Sequence, residues 1–241
     1  MIRFYVEARD AAGDSITVRG DSLHYLKNVL RAERGMKVKA FDGRGNEHLC
    51  RIEEMGSASA LLSIIESYRP DNESAADITL ALGVSKPKSF EFALQKSTEL
   101  GVKRIIPLVT RRSLPSPGPS KISRAEKIII SAARQCGRSV FPVLENPGEL
   151  DSVLCEASGH GLAIIPWEEE ENVSIGRVLE GGDFRSVMVL IGPEGGFTAG
   201  EVKAAEESGV VPVSLGPRIL RAETAAAAVA AMIIYRFDLR G

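Results

Sequence analysis

Two strand-to-loop junctions in the last third of the chain are built alike, and their residue types are those of a ligand cradle. Residues 187–197 read VMVLIGPEGGF and residues 211–225 read VPVSLGPRILRAETA. Each apolar strand ends in Gly-Pro, at Gly192-Pro193 and at Gly216-Pro217. Glycine there lets a ligand approach the backbone, and proline stiffens the turn that presents the next amides and carbonyls. In an open α/β sheet the ligand crevice lies outside the C-terminal strand ends, so two such loops form opposite walls of one pocket. Neither the GK[ST] of a P-loop nor the GxGxxG of a dinucleotide fold is present, and Glu194 inside the first loop repels a phosphate. The loops suit a neutral or cationic ligand with an adenosine or ribose part: main chain bonds a base edge, and a carboxylate faces hydroxyls or a positive centre. Thr198-Ala199-Gly200-Glu201 is a capping box that opens the next helix.

Such loops need a sheet to hold them. At 241 residues, 44% hydrophobic and 26% charged, the chain is globular, with room for one large domain or two modest ones. Disorder and collagen-like repeats are excluded. No apolar stretch approaches the roughly 18 to 20 residues of a membrane span, and Arg3 and Glu7 fall where a signal peptide is apolar, so a cytoplasmic protein with no membrane partner is expected. Cys50, Cys136 and Cys155 are scattered, as are His24, His48 and His160; neither a disulfide framework nor a metal site is expected.

The net charge of −2 hides a division. Residues 86–138 hold 12 Lys/Arg against 3 Asp/Glu, whereas residues 141–183 hold 10 Asp/Glu against 1 Arg. Separate blocks allow a positive face for phosphates on a neutral chain, or two blocks that pair in space.

Residues 1–70 read as short strands with one helix around 24–30, and Asp42-Gly43-Arg44-Gly45-Asn46 is a hairpin turn between two of them. A small β-barrel is expected, ending in the turn-rich linker 68–74. From residue 77 the pattern alternates: strand ITLALGVS, helix 89–101, strand RIIPLVT, a Pro-rich exposed loop within 113–120, helix 121–137, strands GLAIIPW and SVMVLIG, helix 199–208, strand VVPVSLG and an Ala-rich closing helix 222–236. Alternation of that kind predicts a parallel sheet with helices on both faces. The expected domains are therefore 1–70 and 71–241.

Four segments, IGPEGGF (191–197), LGPRILRAET (215–224), QKSTELGVKRIIPLV (95–109) and AARQCGR (132–138), resemble the bacterial 16S ribosomal RNA (uracil-N3) methyltransferase family of the SPOUT superfamily. HYLKNVLRAERGMKVKAFDGRGNE (24–47) resembles that family's N-terminal PUA-like barrel. The resemblance spans nearly the whole chain. It implies a SPOUT-type trefoil-knotted α/β methyltransferase domain behind a small PUA-like β-barrel, S-adenosylmethionine as methyl donor, 16S ribosomal RNA within the small subunit as substrate, and a homodimer with its site at the subunit junction. Tyr25 stands where a second His is expected after His24, and the Pro-rich loop and the run Trp167-Glu168-Glu169-Glu170-Glu171 are particular to this chain.

On this reading the donor is held by Leu190, Ile191, Gly192, Glu194, Gly195 and Gly196 of the first junction. Ser214, Leu215, Gly216, Ile219, Leu220, Arg221 and Thr224 hold it from the second. Glu168 to Glu171 read as a solvated acidic loop, from which one carboxylate reaches the pocket edge. Uracil N3 is a poor nucleophile until its proton leaves, so Arg221 is the expected cation beside the developing anion, and Glu223 either accepts the proton or orients Arg221. Arg31, Lys86, Lys88, Lys96, Arg111, Arg112, Arg134 and Arg138 are the expected RNA-phosphate contacts. Two other functions fit the same residues less well: a non-catalytic ribosome-assembly factor, which needs no intact donor pocket, and a SPOUT ribose methyltransferase.

Overall fold

The computed structural model describes residues 1–182 and 184–239. The chain forms two compact units, Met1–Glu73 with Ala133–Phe141, and Ser74–Ala132 with Pro142–Gly241.

The first unit holds β1 (Arg3–Tyr5), β2 (Ala11–Ala12), β3 (Ser15–Val18), α1 (Gly20–His24) running into a π turn (Tyr25–Val29), β4 (Lys37–Phe41), β5 (Glu47–Met55) and β6 (Ala60–Tyr68). They make one sheet in the order β1-β4-β5-β6-β3-β2, antiparallel except for the β1/β4 pair. It curls around Phe4, Ile16, Leu26, Val38, Ile52 and Leu62. The β4/β5 turn is the expected one: Gly43 and Gly45 take φ of 72° and 99°, and the Asp42 carboxylate accepts hydrogen bonds from the Arg44 and Asn46 amides.

Ala133–Phe141 joins this unit through a polar knot and an aromatic one. Arg3 donates to the carbonyls of Ala133 (3.0 Å) and Arg138 (2.8 Å) and to Ser139 Oγ (3.0 Å), while its Nε pairs with Glu47 at 2.9 Å. Glu47, buried, also accepts from Tyr68, Ser139 and Lys39. The Phe141 ring packs on Tyr5 and Phe41, at centroid distances of 5.2 and 5.8 Å. A boundary drawn from composition at residue 70 has no means of detecting this segment, because partners more than 90 residues apart in sequence hold it.

The second unit runs β7 (Asp77–Gly83), α2 (Pro87–Glu99), β8 (Arg104–Val109), α3 (Pro119–Cys136, whose last turn lies in the first unit), β9 (Val143–Leu144), β10 (Gly148–Glu149), α4 (Leu150–Ala157), β11 (Leu162–Pro166), α5 (Ile175–Glu180), β12 (Ser186–Ile191), α6 (Ala199–Glu207), β13 (Val211–Val213) and α7 (Ala222–Ile234). Its sheet is parallel throughout, ordered β10-β8-β7-β12-β11-β13 with β9 also on β8. Strand parity divides the core. Ile78, Leu80, Leu82, Val187, Val189 and Ile191 face α2, α5 and α7, whereas Ala81, Ile106, Leu108, Met188 and Leu190 face α4 and α6. Burial on both faces is why these strands read as unbroken apolar runs. The short α4 and α5 and the two-residue β9 and β10 carry too few residues to show a period, and the sequence pattern misses them. Helix α3 starts at Pro119, two residues before the expected 121, because proline is accepted in a helix's first turn.

Burial raises the Glu47 pKa, but hydrogen bonds from Tyr68, Lys39 and Arg3 outweigh it and bring the carboxyl from 4.5 down to about 2. A depressed folded-state pKa adds stability that is complete above the unfolded value near 4.5 and is lost as pH falls toward 2. Glu47→Gln is expected to flatten the fall of unfolding free energy across that interval, measured by urea titration at successive pH values. Glu47→Ala, which leaves Arg3 without its counter-charge, should cost about 3 to 5 kcal/mol at pH 7.

Candidate active site

Strands β12 and β13 end on the same side of the parallel sheet, and the loops that leave them face each other across a cleft. It is a cavity of about 500 Å³ adjoined by a second of about 610 Å³. Pro166, Glu168, Ile219, Leu220 and Ala225 line both. Of the expected donor residues, Ile191, Gly192, Glu194, Gly195, Gly196, Ile219, Leu220 and Arg221 line the first cavity, and Ser214, Leu215 and Gly216 line the second. Strand parity turns the Leu190 side chain into the opposite core, fully buried against the α4/α6 side. Thr224 is exposed and lines neither cavity.

The first loop is held from three directions. Gly196 takes φ of 68°, and its N–H donates to the Pro193 carbonyl at 2.9 Å, closing the turn. One oxygen of Glu194 accepts the Lys86 amide at 2.9 Å, which ties the loop to the start of α2. Arg112 Nη1 donates to the Gly195 carbonyl at 2.7 Å. Beneath it Gly83 ends β7 so close that a Cβ would lie 2.4 Å from the Pro193 nitrogen. Thr198 and Glu201 form the expected capping box of α6, and Glu201 also accepts the Arg111 amide at 2.8 Å. Burial opposes ionisation of Glu201, yet bonds from Arg111 and Thr198 prevail and lower its pKa.

In the second loop Gly216 has φ of 102°, with nothing within 4 Å of where a Cβ would stand. Its amide donates to Ser214 Oγ at 3.3 Å. Ile219, 85% exposed, and Leu220 follow, and Arg221 is the N-cap of α7. Among the described residues the Arg221 guanidinium makes no hydrogen bond or ion pair, and the buried Oε2 of Glu223 has no hydrogen-bond partner. Both side chains line the first cavity without pairing with each other, so the expected orienting role of Glu223 on Arg221 is not formed. Of the acidic run, Glu168 lines both cavities and Glu170 and Glu171 the second, so more than the one expected carboxylate reaches the cleft; a Cβ on Gly196 would stand 2.9 Å from Glu168 Oε1. Lys86 and Ser89 also wall the cleft, Lys86 having been expected only as an RNA contact and Ser89 not at all.

The expected RNA contacts divide. Arg31, Lys86, Lys88 and Arg111 are exposed. Arg138 is corrected: it is 4% exposed and paired with Glu73 at 2.7 Å, inside the first unit. Arg134 stacks on Tyr25 at 3.9 Å, Lys96 pairs with Glu99 at 2.8 Å, and Arg112 is the strut described above. Among the described residues no helix is long and apolar enough to cross a membrane, and no His/Cys/Asp/Glu group is arranged to hold a metal.

A parallel α/β sheet with a glycine-walled cleft at its strand ends, preceded in the chain by a curled, mostly antiparallel sheet, is the SPOUT-type architecture that the resemblance implies. Residues 72–234 match the RNA methyltransferase domain family and residues 18–65 the RNA methyltransferase PUA domain family. The ribosomal RNA small subunit methyltransferase E of Rickettsia conorii is 31% identical over 237 residues, 96% of this chain and 94% of that protein. That of Synechocystis is 33% identical over 221 residues, covering 91% and 72%. The structure of a Legionella pneumophila putative methyltransferase with bound S-adenosylmethionine superimposes with a TM-score of 0.86 at 32% identity and 96% coverage of each chain. The ribosomal RNA small subunit methyltransferase E of Neisseria gonorrhoeae, also bound to S-adenosylmethionine, gives 0.87 at 31% identity, with coverage of 96% and 95%. This chain belongs to the ribosomal RNA small subunit methyltransferase E family.

Because Arg112 supports the first loop from outside the cleft, Arg112→Ala is expected to leave the fold intact and loosen residues 193–197. Amide exchange there should quicken by roughly five- to tenfold, as expected for loss of about 1 kcal/mol of hydrogen bonding. Exchange in β12 should be unchanged.

Proposed function

We propose that this chain transfers a methyl group from S-adenosylmethionine to N3 of a uridine in 16S ribosomal RNA, within the small ribosomal subunit. The observation that carries the reading is that Arg221 and Glu223 both line a cleft walled by two glycine loops, the guanidinium and the Glu223 Oε2 without partners among the described residues. The residues fit the donor. Ile191, Leu215, Ile219 and Leu220 offer apolar surface for an adenine ring, the open face at Gly216 leaves backbone within reach, and Glu168 and Glu194 supply carboxylates for hydroxyls or a positive centre. S-adenosylmethionine brings a methyl group on a sulfonium, already a good leaving group.

What remains for the protein is to align the uracil and remove its proton. The Glu223 carboxylate, which lines the cleft, accepts the N3 proton. The Arg221 guanidinium stands beside the anion spread over N3, O2 and O4, and its planar fork meets two of these atoms together. Holding the base in line contributes several kcal/mol more, up to about 7 to 11 in well-oriented reactions. A cytoplasmic location follows from the substrate.

The C-terminal segment supports two further parts of the reading. After edge strand β13 the chain returns to α7, packed against α2, β7 and β12; this return past the loops at 167–174 and 192–197 favours the trefoil knot. Ala231, Met232, Tyr235 and Leu239 lie exposed at helical spacing along α7 and the turn that follows. Such an apolar stripe favours a homodimer.

Single-turnover transfer of labelled methyl to small ribosomal subunits, followed by nucleoside mass spectrometry, tests the chemistry; a label on ribose, or none, overturns it. Arg221→Ala should raise the barrier by about 2.7 to 4 kcal/mol, and Arg221→Lys by less, with donor affinity unchanged by calorimetry. Transfer by the alanine variant at the wild-type rate would remove Arg221 from the mechanism. For assembly, Ala231→Glu is expected to convert a dimer to a monomer in sedimentation, and a wild-type monomer that is fully active at micromolar concentration would contradict the dimer.

A further inference from the structure

The segment that carries Lys86 and Ser89 into the cleft has a second cavity on its other side, of about 240 Å³. Val84, Ser85, Pro87 and Phe90 line it from this segment, and α3 contributes Ile122 and Ala125. Leu114 and Pro117 of the Pro-rich loop close it. The walls are apolar with one aromatic ring. Ser85, 6% exposed, is the exception, and its hydroxyl has no hydrogen-bond partner among the described residues. Lys121 and Arg124 stand at the rim, with Arg124 paired to Glu91, the sole acidic residue of the lining, and Lys86 and Lys88 exposed next to it.

We propose that this cavity is a subsite for an unstacked base of the RNA strand, a neighbour of the nucleotide presented to the donor cleft; the inference rests on the RNA-methylation reading above. Its chemistry is that of a base. A ring-sized apolar slot with an aromatic wall accepts a π-face, an unpartnered hydroxyl in its wall bonds a base edge, and cations at the mouth meet the flanking phosphates. A free apolar ligand has no use for the cations, and a phosphate none for the slot. The volume is below the roughly 300 to 1,000 Å³ typical of pockets for larger ligands, so a second donor molecule does not fit. The prolines at 115, 117 and 119 fix one wall beforehand, which lowers the ordering cost of binding. Because 84–90 is a wall of both cavities, a base seated in one sets the register of the strand that enters the other.

The test is methyl transfer to small ribosomal subunits, with donor binding measured on the same preparations. Phe90→Leu removes the ring and Ala125→Phe fills the slot. Each should raise KM for the subunits by about tenfold, with kcat and donor affinity within about twofold of wild type. A folded Ala125→Phe with the wild-type KM overturns the subsite while leaving the methylation reading intact; a wild type that transfers no methyl overturns that reading instead. Should Ala125→Phe not fold, photo-crosslinking of the wild type to subunits carrying 4-thiouridine decides. Crosslinked peptides containing Phe90 or Leu114 support the subsite, and crosslinks confined to other peptides overturn it.

Discussion

Strand β7 ends with its backbone pressed against the backbone of the first Gly-Pro loop. A methyl group on Gly83 would lie 2.4 Å from the Pro193 nitrogen and 2.6 Å from the Gly192 carbonyl carbon, distances that side chains do not tolerate. The approach is set by the parallel pairing of β7 with β12, in register from Asp77 opposite Ser186 to Leu82 opposite Ile191. Both chains leave the sheet at one point, one into 192–197 and the other into 84–90, and two cavities open on either side of the second. The cleft, its Lys86 anchor on Glu194 and the slot behind Phe90 all depend on that single glycine.

Most of the site was legible because its signals are local. Gly-Pro after an apolar run, a capping box and Arg221 just before a helix are each read within a few residues; the Gly-Pro loops and Arg221 line the cleft, and the capping box opens the helix that follows the first loop. Parity was the harder matter. Leu190 and Ile191 look equivalent in an unbroken apolar run, yet a strand sends them to opposite faces, and only Ile191 reaches the cleft. Gly83 and Ser89 were illegible because their roles come from segments more than 100 residues away.

The basic block shows the difference between counting charges and placing them. Part of its excess is spent internally, since Arg104 pairs with Glu145 and Glu156 of the acidic block and Arg138 with Glu73. That much agrees with two blocks meeting in space. Lys86, Lys88, Arg111 and Lys121 are among the block's residues that stay exposed, with Lys86 lining the donor cleft and Lys121 the cavity behind Phe90.

Helix α3 begins in one unit and ends in the other, and this gives the chain a order of completion. Arg3 and Glu47 are made early in synthesis, but the carbonyls to which Arg3 donates, and the hydroxyl that bridges Arg3 and Glu47, belong to residues 133–139. Until that stretch emerges, the nascent N-terminal sheet holds an ion pair with unfilled bonds and lacks Phe141 against Tyr5 and Phe41. A fragment cut at residue 73 inherits the same deficit for good. The first unit to be translated therefore closes only after residue 141 has been made, and the linker-bounded N-terminal piece is a portable module in sequence only.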